Sequence, residues 1–209
     1  MCGRYTLVDV KNLPHRFGIT EPPIDLQPCL NITPGTNQPV IIEQQNQRQL
    51  AMMRWGLIPH WAQDEKIGYR LINARAETVE QKPAFRNSLM QRRCVIPANG
   101  FYEWHKQPKK NQPYYFSLEK NELMAIAGLW DSWKNSDGET LSTFTILTRQ
   151  ANPVVAPIHE RMPLILAPEQ EAVWLRDTTT PQAIHELLNH ENALNLRSTK
   201  VTTPLETLS

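Results

Sequence analysis

The chain has 209 residues, 40% hydrophobic and 21% charged, with a formal charge of +1. That length suits one domain, residues 1–209, with a sizeable core, and the near-neutral balance excludes an extended basic surface, so any contact with nucleic acid must be a local groove. Three widely spaced cysteines, Cys2, Cys29 and Cys94, without a Cys-x-x-Cys pair, exclude a disulfide framework and a ribbon-type zinc site and fit a reducing compartment.

No apolar run follows a basic segment at the start, and no stretch is long enough to span a bilayer, so a soluble cytoplasmic protein without membrane contact is expected. Seventeen prolines against eight glycines favour strands and structured connections over long helices. In chain order, Arg4 to Val8 reads as a strand that tethers the terminus, and Val10 to Phe17 as a weak helix capped by Asp9. Glu21 to Pro28 reads as extended, and Pro34-Gly35 marks a turn. Val40 to Glu43 and Gln49 to Trp55 form a hairpin across a polar turn at 44–47. A loop through Gly68 precedes Ile72 to Thr78 and a helix from Pro83 to Met90. Strand patterns follow at Cys94–Pro97, Gly100–Trp104, Tyr114–Leu118, Met124–Leu129 and Ser142–Thr148, with a loop tip from Lys106 to Gln112. Helices are predicted over Pro168–Leu175 and Pro181–Leu188, and the last residues from Val201 as extended. Many short strands with few helices predict an α+β fold built on a curved, mainly antiparallel sheet system.

The chemistry centres on Cys2. A small residue in second position favours removal of Met1, which leaves a free α-amine beside a thiol. With a reference pKa of about 7.7–8.0, part of that amine is unprotonated at neutral pH. A vicinal aminothiol has a reaction neither group has alone: the amine condenses with an aldehyde, and the sulfur closes on the imine carbon to give a thiazolidine. Three polar residues lie in apolar, structured surroundings elsewhere: Asn73 within Leu71-Ile72-Asn73-Ala74, Glu103 within Gly100-Phe101-Tyr102-Glu103-Trp104, and His159 after Val154-Val155-Ala156-Pro157-Ile158. A carboxyl flanked by aromatics suits a proton shuttle, a histidine donates or accepts near neutral pH, and an asparagine fixes a reacting group without changing charge. Taken singly, Glu103 also fits a solvent-facing residue of an edge strand, His159 a capped loop and Asn73 a turn. Arginines cluster around the same segments, among them Arg4, Arg75 and Arg161, and are interleaved with aromatics including Trp61 and Trp104. Stacking rings beside guanidinium groups suit a single-stranded nucleic acid; a packed core with a solvated charged face is the competing explanation.

Six blocks, in order, resemble the SRAP family, named for SOS-response-associated peptidase: Met1-Cys2-Gly3-Arg4-Tyr5, Asn31-Ile32-Thr33-Pro34-Gly35-Thr36, Arg54-Trp55-Gly56-Leu57-Ile58-Pro59, Asn73-Ala74-Arg75-Ala76-Glu77-Thr78, Arg92 to Trp104, and Ile158-His159-Glu160-Arg161-Met162-Pro163. The resemblance implies a single α+β domain with a barrel-like core, peripheral helices and a positively charged groove. It further implies a monomer, associated with the nucleoid when bound to DNA, that links covalently to abasic sites in single-stranded DNA through a thiazolidine at Cys2, with weak lyase activity and no metal or other cofactor. By position, Cys2 is then the nucleophile, and Asn73, Glu103 and His159 complete the catalytic site. Arg4, Arg75 and Arg161 are expected near phosphates, Trp61 near the bases, and Asn31 in the DNA-binding set. Asn99 stands where the family usually has Asp, a departure expected to affect only its turn. The family name carries an alternative, a Cys2-dependent thiol autopeptidase or amidohydrolase with His159 as base.

Overall fold

A computed structural model describes residues 2–20, 25–108, 111–190 and 194–203. The chain opens with β1 (Tyr5–Leu7), whose three residues are all buried, and α1 (Leu13–Phe17), closed by Gly18 in the left-handed conformation. β2 (Cys29–Ile32) leads through the Pro34-Gly35 turn to β3 (Asn37–Gln44), and β4 (Gln47–Trp55) returns beside it. Gln45 and Asn46 between them both have positive φ, 51° and 59°, as a two-residue hairpin needs if its twist is to match that of its strands. A 3-10 turn at Glu65–Arg70 precedes β5 (Asn73–Arg75), α2 (Arg86–Gln91), β6 (Arg93–Ala98) and β7 (Gly100–His105). β8 (Gln112–Leu118), β9 (Met124–Lys134) and β10 (Thr140–Gln150) are the next strands. β11 (Arg161–Pro163), β12 (Ile165–Leu166), α3 (Pro168–Leu175), α4 (Pro181–Asn189) and β13 (Leu196–Lys200) follow, and a second 3-10 turn lies at Val79–Gln81.

The strands form two sheets. The first runs β13-β8-β7-β1-β2 and is antiparallel throughout. In the second, β10, β4, β3, β6 and β9 pair in turn, and β9 pairs back onto β10, which closes a barrel of five strands. Every pair in that ring is antiparallel except β10 with β4, where Thr143 and Phe144 lie beside Arg54 and Trp55. β5 and β11 add to β10, and β12 adds to β9. The fold is therefore α+β, with curved, mainly antiparallel sheets around a barrel and helices outside it, as the sequence predicts. Among the described residues no helix is long and apolar enough to cross a membrane.

Packing in the barrel is tight at Gly128 on β9. A Cβ there would lie 2.2 Å from Ile96 Cδ1 and 2.8 Å from the Thr145 carbonyl oxygen, so only glycine fits. The two sheets meet through aromatic contact. Tyr5 of β1 sets its ring edge-on to Trp55 of β4, centroids 5.3 Å apart, and Trp55 stacks on Phe144 of β10 at 6.2 Å. Such a pair adds about 0.5–1.5 kcal/mol beyond its buried area. It fixes the start of β1, and so Cys2, at the seam between sheet and barrel.

Local differences from the sequence reading have physical reasons. Helix α1 begins at Leu13 rather than Val10, and Asp9 does not cap it: its carboxylate accepts two hydrogen bonds from Asn12 Nδ2, each 2.9 Å. Residues 83–85 form a turn, so α2 starts at Arg86 instead of Pro83. Asn99 reaches beyond its own turn, because its Oδ1 accepts from the amides of Val8 (2.6 Å) and Asp9 (3.0 Å) and ties the end of β1 to the β6–β7 connection. Near the carboxyl terminus the regular strand is β13, upstream of Val201. Of the other extended segments, 21–24 and 204–209 lie outside the described residues, as does the 109–110 part of the loop tip.

Candidate active site

Ahead of β1 the chain stays pinned to the first sheet: the Tyr102 amide on β7 donates to the Arg4 carbonyl at 2.9 Å. Cys2 is fully buried, with its thiol 3.9 Å from the same carbonyl oxygen. Asn73 opens β5, which lies parallel to β10 with Asn73 beside Ile146. That placement brings its amide across to Cys2, where Nδ2 donates to the backbone carbonyl at 2.8 Å. Asn73 Oδ1 is buried without a hydrogen-bond partner among the described residues, which leaves an acceptor beside Cys2. Acceptors stranded in this way are uncommon in folded interiors.

Glu103 comes from the opposite side, on β7 and paired with Tyr114 of β8. Only 3% of it is exposed, so it is not the solvent-facing residue of an edge strand. His159 follows a tight turn in which its amide donates to the Val155 carbonyl at 3.0 Å. The Arg161 amide donates to His159 Nδ1 at 3.0 Å. The same Nδ1 lies 3.2 Å from the Arg161 carbonyl oxygen, and Nε2 lies 3.9 Å from Glu103 Oε2. Burial pushes the Glu103 carboxyl above its ordinary range, and the neighbouring His159 pulls it part of the way back. Burial also pushes the Cys2 thiol up, and the charge of Glu103 adds to that. The two groups are electrostatically linked, since each is easier to ionise while the other is neutral.

Cys2, Asn73, Glu103 and His159 thus converge from the terminus, β5, β7 and the segment before β11. The flanking cations have different surroundings. Arg4 Nη1 donates to Asn31 Oδ1 at 2.9 Å, and its guanidinium lies 5.8 Å from the Trp104 ring centroid. Arg75 is exposed and, two residues beyond Asn73 on β5, shares its side of the strand. Arg161 is a bidentate partner of Glu77 (2.6 and 2.9 Å) and also donates to the Thr148 carbonyl at 2.7 Å. Burial pushes the Glu77 carboxyl up, but the hydrogen bond from Arg161 and further bonds outweigh it and hold the group below its ordinary value. Trp61 is 51% exposed on a turn after β4, beside an open cleft of about 460 Å³ lined also by Asp64, Lys66 and Arg70.

Sequence reasoning missed Thr148 and the role of Glu77, which together orient Arg161 beside His159. The only available signal was Glu77's place in the Asn73–Thr78 block. Among the described residues no three His, Cys, Asp or Glu side chains converge as a metal site requires.

A buried cysteine beside an amide and a carboxyl, with an imidazole against that carboxyl, at the seam of a small barrel and a second sheet, defines a cysteine-centred site on a mixed scaffold. The chain belongs to the family described as SOS response associated peptidase (SRAP), which matches it over residues 1–207. It is 41% identical over 206 residues to the abasic site processing protein YoqW of Bacillus subtilis, covering 96% of this chain and 92% of YoqW. To the abasic site processing protein YoaM of the same organism it is 44% identical over 193 residues, 90% of this chain and 85% of YoaM. A crystal structure of a protein from Bacteroides thetaiotaomicron superposes with a TM-score of 0.88 at 26% identity, covering 96% of this chain and 92% of that one.

Proposed function

We propose that the chain, acting as one domain and one copy, processes abasic sites in single-stranded DNA by covalent capture at Cys2 once Met1 has been removed. The observation that carries the reading is the Asn73 amide held on the Cys2 backbone, with the Glu103 charge acting on the Cys2 thiol and His159 3.9 Å from that carboxyl. An abasic sugar interconverts between a closed ring and an open aldehyde. Glu103, whose carboxyl burial pushes above its ordinary range, donates to the ring oxygen and favours the open form. The Cys2 amine attacks the aldehyde carbon and one water leaves, giving an imine. The sulfur then adds to the imine carbon while its proton passes to the imine nitrogen, which closes the thiazolidine. Asn73 orients the amine, and His159 holds the sugar hydroxyl freed by ring opening. The imine also acidifies the adjacent carbon, so elimination of the 3′ phosphate competes with closure and gives weak lyase activity.

Arg4, Arg75 and Arg161 serve phosphates, Trp61 stacks on a base, and Asn31 holds Arg4 in place. The raised thiol argues against the alternative of a thiol peptidase. Such an enzyme relies on a thiolate stabilised well below the ordinary cysteine pKa, whereas an imine is electrophilic enough to accept a thiol with base assistance.

The test is intact mass after incubation with an abasic single-stranded oligonucleotide. The expected species is protein lacking Met1 plus DNA minus one water, stable to heat. Capture by protein whose terminal amine has been acetylated would overturn the mechanism.

A further inference from the structure

Trp61, the most exposed tryptophan, is held by an arrangement its own neighbours in sequence do not supply. Pro59 to Ala62 form a turn closed by the Ala62 amide donating to the Pro59 carbonyl at 2.8 Å. Both flanks of Trp61 are tied to β9. On one side Asp131 Oδ2 accepts from the His60 amide at 2.9 Å and faces His60 Nδ1 at 3.0 Å, a contact in which the ring N–H donates. On the other side Trp133 Nε1 donates to the Ala62 carbonyl at 2.6 Å. Just upstream, Thr143 Oγ1 accepts from the Ile58 amide at 2.8 Å.

Asp131 is only 2% exposed, and its second oxygen is also engaged, by the Ser132 amide at 2.8 Å and Arg92 Nη1 at 3.1 Å. A buried carboxylate is costly to desolvate unless its oxygens are saturated with donors. Here half of those donors come from the two backbone and ring groups of His60. Asp131 and Trp133 are two apart on one strand and so point to the same side, which lets a rigid barrel strand grip the turn before and after the exposed ring.

We propose that Asp131 and Trp133 are positioning residues for DNA binding, which act by presenting the Trp61 ring at a fixed angle to a base of the bound strand. This rests on the reading of Trp61 as a stacking residue. A platform ordered in advance avoids the entropy of fixing a loop and an aromatic side chain at the moment of binding. Neither residue touches DNA or the reacting atoms, and each acts through Trp61.

The experiment measures capture of an abasic single-stranded oligonucleotide over a range of DNA concentrations, for the wild type and for Asp131→Asn and Trp133→Phe, each in a Trp61 and a Trp61→Ala background. Trp133→Phe keeps an aromatic ring under the turn and removes only one donor, so it serves if Asp131→Asn does not fold. With Trp61 present, the half-saturating DNA concentration is expected to rise about five- to tenfold, part of one stacking contact, while the rate at saturating DNA stays as in the wild type. With Trp61→Ala, either substitution should add nothing. An equal rise in both backgrounds, a fall confined to the saturating rate, or no rise at all would overturn the proposal. Absence of capture by the wild type would instead sink the reading of the Cys2 site on which this rests.

Discussion

Cys2 and Cys94 are both wholly buried, and burial pushes both thiols far above the ordinary range. The seam that holds Cys2 and the barrel wall that holds Cys94 nevertheless differ in kind. Beside Cys2 stand an amide and a carboxyl brought in by separate elements, with an imidazole against the carboxyl. Cys94 lies on β6 opposite Gly128, where its sulfur would be 3.1 Å from an added Cβ, and burial is the one cause of its shift. Burial alone makes a thiol inert. What distinguishes the seam is the set of polar groups brought in beside a buried sulfur.

The sharpest way to break this contrast is to remove each sulfur in turn. Cys2→Ala should abolish the heat-stable adduct on a denaturing gel, whereas Cys94→Ala should capture at the wild-type rate. A stable adduct from the first variant would erase the distinction.

Glu103→Gln is expected to slow capture about 100-fold, as loss of a general acid does. Its effect on stability should run the other way. A carboxyl whose folded pKa is raised favours the fold below its ordinary value of 4.5 and loses that contribution as pH climbs through the raised value. The Gln variant, which does not titrate, should therefore gain on the wild type in thermal melts as pH rises from acid to neutral.

On the barrel side, Gly128→Ala forces a methyl onto Ile96 and the Thr145 carbonyl. It should cost about 1–3 kcal/mol by chemical denaturation, with capture per folded molecule unchanged. Smallest is the effect of Cys94→Ala on stability, about 1 kcal/mol in the same measurement. A larger loss of capture than of stability in either variant would show that the barrel wall takes part in the chemistry after all.

Local context singled out the catalytic candidates, Glu103 among aromatics, Asn73 and His159 beside aliphatic runs, Cys2 beside the initiator. Each alone also fitted an ordinary structural role, and only the family resemblance joined them into one site. The strands with long apolar runs were legible because they kept a regular pattern, and so were α3 and α4, each opened by a proline. Less readable were β2, β5, β11 and β12, two to four residues each, whose pairing comes from partners far along the chain. Asp131 and Trp133 look from sequence like two more residues of a strand. Their grip on the turn around Trp61 appears only when β9 lies against residues 59–62.

The residues themselves, then, determined the strand-rich class and the family, and through the family the four groups proposed for the chemistry, since these depend on side-chain type and on motifs in order along the chain. Closure of the barrel through β9 back onto β10, the parallel contact of β10 with β4, and the seam that buries Cys2 against Asn73 and Glu103 were decided by tertiary structure. Strand pairing is a long-range choice made by shared burial and backbone hydrogen bonding. No window of neighbouring residues encodes which distant strand will satisfy it.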